Sequence, residues 1–448
     1  MDGPVFQKSL IIIVLIVLAI LVTFYHSTCF NSGQNNISVH DVLKSQQSGQ
    51  RQFKNQPRAL QLPSQEKICL YKSATHFYLK ELDLCRPFLT CEEISTNIKT
   101  KEKIIGNGGI KEVRIGYYYY NDIDWVGESD PLSNNFIKVA YVQSKSRTNR
   151  GKEFFDQGLE NLKNFQGLGK KNVIKLYGFC KNERMNDANE EANEKPHVMI
   201  TEFCGHGDLG HFLNSETYAS SVKFNIIGRI KLAISLLNTF KFLHNSPTGT
   251  RISCDMKARA FNALTQFLVN DDYEVVLNDI DENPVVSNGS YQNNTSLCHP
   301  GLFDNYINKH TNNGQKNLTI PEYKQLFIAP EQIDRKPTNE KMDIWKIPDM
   351  ILFLLTRRIE LLEMTDQKKM IKILETYEVK NILKNCKNID SLARPSAVQI
   401  VDVFERVLGR IEFEGEKFFE HEKGLIDLDV NINFNAWKAG YFNDILKE

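Results

Sequence analysis

The sequence has no excess of charge of either sign, with 55 basic and 55 acidic residues among 448 and an estimated pI near 7.1. Proteins that bind nucleic acid by neutralising its phosphates are basic, so this balance gives no sign of a nucleic-acid partner. Hydrophobic residues make up 41% and charged residues 25%, which excludes a collagen-like, a wholly disordered and a polytopic membrane protein. The length corresponds to roughly two to three domains of about 150 residues each.

The nine cysteines include no CxxC pair, so they do not form the usual pattern of a zinc site. They are scattered along the chain as Cys29, Cys69, Cys85, Cys91, Cys180, Cys204, Cys254, Cys298 and Cys386. Such scattering suits an oxidising compartment, in which cysteines form disulfides. Because the number is odd, at least one cysteine stays unpaired or pairs between chains, and Cys29 is our candidate.

Charge is missing altogether from Leu10–Tyr25, a run of apolar residues. With one flanking residue on each side the run is long enough to cross a thin bilayer, so we predict a signal-anchor helix over residues 9–26. A cleaved signal peptide is the alternative, but no clear small-x-small cleavage site follows. Lys8 precedes the run and the next basic residue is Lys44, so the positive-inside rule leaves residues 1–8 in the cytosol and the rest of the chain in the lumen.

Candidate N-glycosylation sites agree with a lumenal chain, because glycans are added there. The Asn-x-Ser/Thr sequons begin at Asn36, Asn288, Asn293, Asn294 and Asn317. Sequons also arise by chance in an asparagine-rich sequence, so they support the orientation without proving it.

The lumenal part divides by composition and hydrophobic pattern. Residues 27–66 are rich in Gln, Asn and Ser and predict a flexible stalk. Residues 67–100 contain three cysteines of unknown pairing and a helix that starts near Cys91. Residues 101–410 are predicted to be the main domain, and residues 411–448 are a C-terminal extension without a distinctive pattern.

The main domain changes its hydrophobic period near Leu209. Before that residue the apolar positions mostly alternate as in strands, with one helical segment, KEFFDQGLENLKNF, between them. After it they follow helical spacing, as in IGRIKLAISLLNTFKFLH. A strand-rich part followed by a helix-rich part predicts an α+β fold with two lobes.

Several short motifs occur in these lobes. Gly106-Asn107-Gly108-Gly109 lies between two strand-like runs, where backbone amides could approach a phosphate or simply form a hairpin turn. Further motifs follow in order: Thr201-Glu202-Phe203-Cys204, Gly207-Asp208-Leu209, Phe242-Leu243-His244, Ser253-Cys254-Asp255, Asn278-Asp279-Ile280-Asp281, Ala329-Pro330-Glu331, Asp343-Ile344-Trp345 and Arg394-Pro395-Ser396. Each motif alone is a weak signal, but their order resembles that of the protein kinases.

Longer stretches narrow the resemblance. KVA, SPTGTRISCD, LNDIDENP, FIAPEQ and NEKMDIWKIPDMILFLL are similar to segments of the protein O-mannose kinases, over roughly Cys69 to Leu408. The resemblance implies a bilobal protein-kinase-like fold in a single-pass type II enzyme of the endoplasmic reticulum membrane. It also implies an ATP-dependent kinase that uses Mg²⁺ or Mn²⁺. The implied acceptor is the 6-hydroxyl of O-linked mannose in a GalNAc-GlcNAc-mannose glycan, on a glycoprotein such as α-dystroglycan.

The same resemblance suggests the catalytic and metal-binding residues. Asp255 matches the catalytic-loop aspartate and would take the proton of the acceptor hydroxyl. Asp279 matches the metal-binding aspartate of the Asp-Phe-Gly motif, here Asp-Ile-Asp. Asp281 is either a second metal ligand or a capped loop residue, and both interpretations stay open. Ala260 stands where kinases have a metal-binding asparagine, and Asn262 is only a displaced candidate.

The usual nucleotide lysine is missing from its strand, where Val142 or Gln143 stands. Lys111, at the end of the glycine loop, is the candidate substitute, as in the with-no-lysine kinases, although a solvated strand lysine is the simpler interpretation. Its helix partner is not identifiable from the sequence. The candidates for that partner are Glu153, Asp156 and Glu160.

The candidate ATP-binding residues are Gly106, Gly108, Lys111, Glu202 and Cys204.

The remaining matches predict structure. Glu331 and Arg394 correspond to the buried ion pair of kinases, and Asp343 starts the central helix and braces the catalytic loop. A Cys254–Cys298 disulfide is one plausible bridge. Because the active-site motifs depart from the usual pattern, a lumenal pseudokinase that binds a glycan or a protein is the chief alternative, and a secreted protein-serine kinase is a third.

Overall fold

The computed structural model describes residues 69, 75–80, 83–120, 136–145, 149–166, 172–181, 196–254, 259–281, 285, 324, 326–334, 336 and 338–421. All of them belong to one compact unit, Pro63–Glu448. The predicted anchor over 9–26 and stalk over 27–66 lie outside the described residues. In the described part of the chain, no helix combines the length and apolar character needed to span a membrane.

The first lobe is built mainly from strands. Its elements are β1 (His76–Leu79), β2 (Leu84–Pro87), α1 (Cys91–Asn97), β3 (Ile98–Asn107), β4 (Lys111–Tyr119), β5 (Phe136–Ser144), α2 (Asn149–Gln166), β6 (Leu176–Cys180) and β7 (Val198–Glu202). Strands β3 to β7 form an antiparallel sheet in the order β3-β4-β5-β7-β6, while β1 and β2 form a separate hairpin. The sheet starts slightly earlier than the predicted domain boundary at residue 101.

The side chains of β5 alternate between two hydrophobic clusters, as the two-residue period of a strand requires. Ile137 and Val139 point to a cluster with Phe77 of β1, so the N-terminal element covers this face of the sheet. Ala140 and Val142 point to the main core, which includes helix α2. One face of the sheet therefore packs against the N-terminal element. The other face packs with α2 into the core that also contains residues of the second lobe.

Two disulfides attach the N-terminal element. Cys69 pairs with Cys85, and Cys91 pairs with Cys180. The second bridge joins the start of α1 to the end of β6, so it ties the element to the five-stranded sheet. The sequence placed three of these cysteines in the N-terminal element without their pairing, and the partner of Cys91 is Cys180 of the sheet.

The second lobe is mainly helical. Its helices and strands are α3 (Leu209–Phe212), α4 (Glu216–Ser220), α5 (Ile226–His244), α6 (Ala260–Leu264), β8 (Phe267–Val269), β9 (Val275–Leu277), α7 (Pro330–Ile333), α8 (Lys341–Thr356), α9 (Met364–Glu375), α10 (Tyr377–Cys386), α11 (Ala397–Glu414) and α12 (Glu416–His421). Helices α5 and α8 are buried on most sides, which identifies them as core helices. The predicted two-lobe α+β architecture is therefore present.

The predicted boundary at residue 410 falls inside a helix. Helix α11 continues to Glu414 because Ile411 is buried in the main core. Helix α12 follows, and the buried Lys372 donates a hydrogen bond to the carbonyl of Phe419 at 2.6 Å. The first part of the predicted extension thus belongs to the helical lobe.

Candidate active site

The glycine-rich segment is the turn between β3 and β4. The Gly108 amide donates to the carbonyl of Lys111 at 2.9 Å, which closes the hairpin. Lys145, after β5, bonds to the side chain of Asn107 and donates to the Gly108 carbonyl at 3.1 Å. A Cβ at Gly108 would meet no atom closer than 3.6 Å, so the turn leaves room for another group.

Lys111 is the first residue of β4, and its ammonium meets two carboxylates. Nζ lies 2.5 Å from Oδ1 of Asp281 and 3.6 Å from Oδ1 of Asp279. Burial alone would lower the pKa of Lys111, but the charges of Asp281 and Asp279 and their hydrogen bonds outweigh it and hold this pKa above its ordinary value. Lys111 is therefore charged, and the simpler interpretation of a solvated strand lysine is wrong.

In the residues that the structure describes, the acidic side chains of α2, which were the candidate partners of Lys111, do not contact it. Asp156 lies 3.2 Å from His197 and 3.6 Å from Lys181, and Glu160 pairs with Lys181 at 3.4 Å. Glu153 lines a cavity of about 490 Å³ beside Asp281. Among the contacts between described residues, none of these three carboxylates meets Lys111, which receives its negative partners from the Asp-Ile-Asp segment.

The two aspartates of that segment differ in exposure. The Asp279 side chain is 37% exposed, whereas that of Asp281 is 8% exposed and in contact with Lys111. Asp279 is thus accessible to a metal ion, and a carboxylate oxygen is a ligand that Mg²⁺ and Mn²⁺ prefer. Within the described part of the chain, no three His, Cys, Asp or Glu side chains cluster as a metal site. Asn262 lies on α6, and metal ligation by it or by Asp281 stays a prediction.

Sequence reasoning missed Asn161, which is 2% exposed and links three segments. Its Nδ2 donates to the carbonyl of Ile280 at 2.7 Å. Its Oδ1 accepts from Arg251 at 2.8 Å and from Gln157 at 3.1 Å. The available signal was a polar residue among the apolar positions of KEFFDQGLENLKNF, since a buried asparagine needs partners.

The segment before the predicted catalytic base Asp255 is held by Asp343 of helix α8. The fully buried Asp343 accepts the backbone amide of Ser253 at 3.0 Å, and its Oδ2 lies 3.1 Å from Nε2 of His244. This is the bracing arrangement expected for Asp343. Asp255 itself lies outside the described residues, and so does every sequon asparagine.

Two cysteines of the described residues are free, and the prediction of an unpaired Cys29 stays a prediction. Cys204 and Cys386 are free and buried. Cys254 is disulfide-bonded, and its predicted partner Cys298 lies outside the described residues, as does Cys29. The pairing with Cys298 therefore stays a prediction.

The connection between the lobes starts at Glu202, the last residue of β7. One carboxylate oxygen of Glu202 accepts the Lys175 amide at 2.8 Å, and the other lies 3.8 Å from the Lys175 ammonium. Burial raises the pKa of Glu202 despite the opposing charge and amide of Lys175. Burial also raises the pKa of the Cys204 thiol, which is consequently a neutral packing group.

Glu331 and Arg394 form the predicted buried pair in the helical lobe. The two guanidinium nitrogens donate to the two carboxylate oxygens at 2.6 and 2.8 Å. The guanidinium also lies over the ring of Trp345, 4.9 Å from its centroid, and Trp345 donates to the carbonyl of Leu326. This cluster joins α7, α8 and the segment before α11.

A two-lobed fold with a lysine and two aspartates between its lobes is the arrangement of a protein kinase. The chain matches the model of the protein tyrosine and serine/threonine kinase family over residues 99–404, and it belongs to that family. Members of the family use ATP with a divalent metal ion.

More closely, the chain is similar to the protein O-mannose kinases. It is 27% identical to that of Homo sapiens, over 74% of this chain and 79% of the relative. It is 28% identical to that of Xenopus laevis over 77% and 81%, and 28% identical to that of Gallus gallus over 76% and 80%. These matches confirm the resemblance found in the sequence and the expectation of a phosphotransferase.

Proposed function

We propose that the protein is an ATP-dependent kinase that phosphorylates the 6-hydroxyl of O-linked mannose in a GalNAc-GlcNAc-mannose glycan. The proposed carrier is a glycoprotein such as α-dystroglycan. The observation that carries the proposal is the contact of Lys111 with Asp279 and Asp281, in a chain similar to three O-mannose kinases. Phosphoryl transfer requires mainly positioning and neutralisation of charge, which these residues can supply.

Each residue has a proposed role. Lys111 binds the phosphates of ATP, and Asp279 holds Mg²⁺ or Mn²⁺. Such an ion, when held there, would supply the positive charge that phosphoryl transfer requires. Asp255 orients the mannose hydroxyl and accepts its proton. The loop with Gly106 and Gly108 covers the phosphates.

The adenine is proposed to bind along the backbone of Glu202 and Cys204. The side chains support this, because the Glu202 carboxylate is already held by Lys175 and the Cys204 thiol is buried and neutral. Both side chains are thereby removed from hydrogen bonding to the base. The backbone N–H and C=O groups of this segment then remain to bind the adenine.

We also propose that the enzyme is a single-pass type II protein of the endoplasmic reticulum membrane, with its catalytic lobes in the lumen. The uncharged run Leu10–Tyr25 and the five sequons support this location. The disulfides Cys69–Cys85 and Cys91–Cys180 also support it, because disulfides persist in oxidising compartments.

A lumenal pseudokinase is the second candidate. The observation that favours it is the absence of a lysine at Val142 or Gln143 of β5, together with Ala260 in place of a metal-binding asparagine. Such a protein would bind a glycan, a nucleotide or a partner protein without transferring phosphate. Catalysis separates the two candidates.

The deciding experiment uses the full chain in detergent with ATP, Mg²⁺ or Mn²⁺ and a GalNAc-GlcNAc-mannose glycopeptide. Mass spectrometry should detect one added phosphoryl group on the mannose. Asp279→Ala should abolish the gain, and Asp255→Asn should abolish it while keeping Mg-ATP binding. Nucleotide or glycan binding without transfer by the parent protein would favour the pseudokinase.

A further inference from the structure

Helix α2 approaches the Asp-Ile-Asp segment most closely at Gly158. A Cβ built on Gly158 would lie 1.9 Å from Oδ1 of Asp281 and 3.6 Å from Nζ of Lys111. Real Cβ atoms do not come that close to an oxygen, so the Asp281 carboxylate occupies the space that a side chain at position 158 would need. A side chain at position 158 would therefore displace the carboxylate from the place where it meets the lysine.

One helical turn further on, Asn161 holds the same segment by a hydrogen bond to the carbonyl of Ile280 at 2.7 Å. Residues three apart lie on the same face of a helix, so Gly158 and Asn161 form one docking face. Arg251 donates to Asn161 at 2.8 Å and fixes the asparagine from the other lobe. The segment is therefore held by a hydrogen bond at Ile280 and by close packing at Asp281.

The glycine has a cost that asks for an explanation. Glycine in a helix interior is about 1 kcal/mol less favourable than alanine. Gly409 of α11 is another glycine inside a long helix, but a Cβ there would meet nothing within 4 Å. The close approach of Asp281 distinguishes Gly158 from that position.

We propose that Gly158 and Asn161 are positioning residues that dock the Asp-Ile-Asp segment on α2, so that Asp281 supplies the carboxylate that orients Lys111. In this arrangement the counter-ion comes from the segment and not from the helix. Asp279, which is 37% exposed, then remains accessible for the metal. The inference rests on the proposed function only in that Lys111 binds the phosphates of ATP.

The first test compares two glycine-to-alanine variants of the full chain. Gly158→Ala should weaken ATP affinity at least 10-fold, because the new methyl group displaces Asp281 from Lys111. Gly409→Ala, which makes the same change in a helix with open space, should leave ATP affinity unchanged. Calorimetric titration with Mg-ATP measures both, and thermal unfolding checks the fold. Unchanged ATP affinity in Gly158→Ala would overturn the inference.

The second test asks whether Gly158 acts through Asp281. Asp281→Gly should weaken ATP binding by itself, and adding Gly158→Ala should change the affinity less than 2-fold, because the clash is gone. This double variant also tests the idea if Gly158→Ala alone fails to fold. Equal losses from Gly158→Ala in both backgrounds would show that the glycine acts independently of Asp281.

The third test moves the carboxylate to the helix. In the Asp281→Gly background, Gly158→Asp should restore at least 5-fold of the lost ATP affinity, because the Cβ position lies 3.6 Å from Nζ of Lys111. The neutral Gly158→Asn is the matched control and should restore none. Equal recovery by both, or recovery by neither, would refute a counter-ion role. Nucleotide binding does not involve the glycan, so a wrong acceptor would leave these results intact.

Discussion

The charge cluster of the helical lobe differs from the cluster between the lobes. Glu331 and Arg394 match in number and geometry, with both carboxylate oxygens engaged and the arginine side chain 0% exposed. The other cluster has one lysine and two carboxylates, and Asp279 is 37% exposed. The first cluster is complete as it stands. Among the contacts of the described residues, the second has one cation for two carboxylates and an accessible oxygen, so it is suited to gain a cation together with the phosphates of a nucleotide.

Breaking the Glu331–Arg394 pair should have the largest effect on stability. Arg394→Ala leaves Glu331 buried without its partner, and loss of one member of a buried ion pair costs about 3–5 kcal/mol. The free energy of unfolding from urea denaturation measures this. Arg406→Ala, which removes an exposed arginine 3.7 Å from Glu378, is the matched control and should cost less than about 1 kcal/mol. Equal losses would contradict the contrast between the clusters.

Breaking the cluster of Lys111, Asp279 and Asp281 should affect catalysis most. Lys111→Ala removes the cation that meets the phosphates, and we expect a loss of about 10²–10³ in kcat/KM and weaker ATP binding. Lys138→Ala removes an exposed lysine of the neighbouring strand β5 and should change neither. Unchanged nucleotide affinity in Lys111→Ala would mean that another group holds the phosphates.

The position of Asp279 and Asp281 should also depend on Asn161, which holds their segment. Asn161→Ala leaves the carbonyl of Ile280 and the guanidinium of Arg251 without this partner, which should cost about 1–3 kcal/mol of unfolding free energy. ATP affinity should fall as well. Asn161→Asp keeps the acceptor for Arg251 but places an oxygen against the carbonyl of Ile280 instead of a donor, so it should also lose ATP affinity. Normal ATP binding by both variants would remove the asparagine from the site.

The smallest expected effect concerns pH and Glu202. Burial raises the pKa of this carboxyl above its ordinary 4.5, so the folded state binds the proton more tightly than the unfolded state. Its stabilising contribution is present below pH 4.5 and is lost as the pH rises through the folded pKa. Glu202→Gln removes this loss. The unfolding free energy of the variant relative to the parent should therefore rise between pH 4 and 7, and denaturation at several pH values measures it. A flat difference would contradict the raised pKa.

Much of the scaffold could be predicted from the sequence. Alternating apolar residues indicated the strands of the first lobe, and helical spacing indicated α2 and α5. The positions of Glu331, Arg394 and Asp343 followed from motif order, because these residues keep the spacing of the kinase pattern. The end of α11 did not follow, since the burial of Ile411 depends on the residues that pack against it.

The candidate site was predictable only in part. Lys111 was identified because the usual strand position had no lysine. Its partner was sought on α2, whereas the structure provides Asp281, and neither Gly158 nor Asn161 was identified. A glycine in a helix and an asparagine on its apolar face are ordinary when seen alone, and their meaning depends on what approaches them.

The sequence by itself determined the kinase order of motifs, the two-lobe architecture and the absence of the usual nucleotide lysine, because these are properties of residue type and spacing. Only the tertiary structure decided which carboxylate meets Lys111 and which cysteines pair. The physical reason is distance along the chain. Lys111 and Asp281 are 170 residues apart, and Cys91 and Cys180 are 89 apart, so their contacts arise only when packing of the sheet and α2 brings them together.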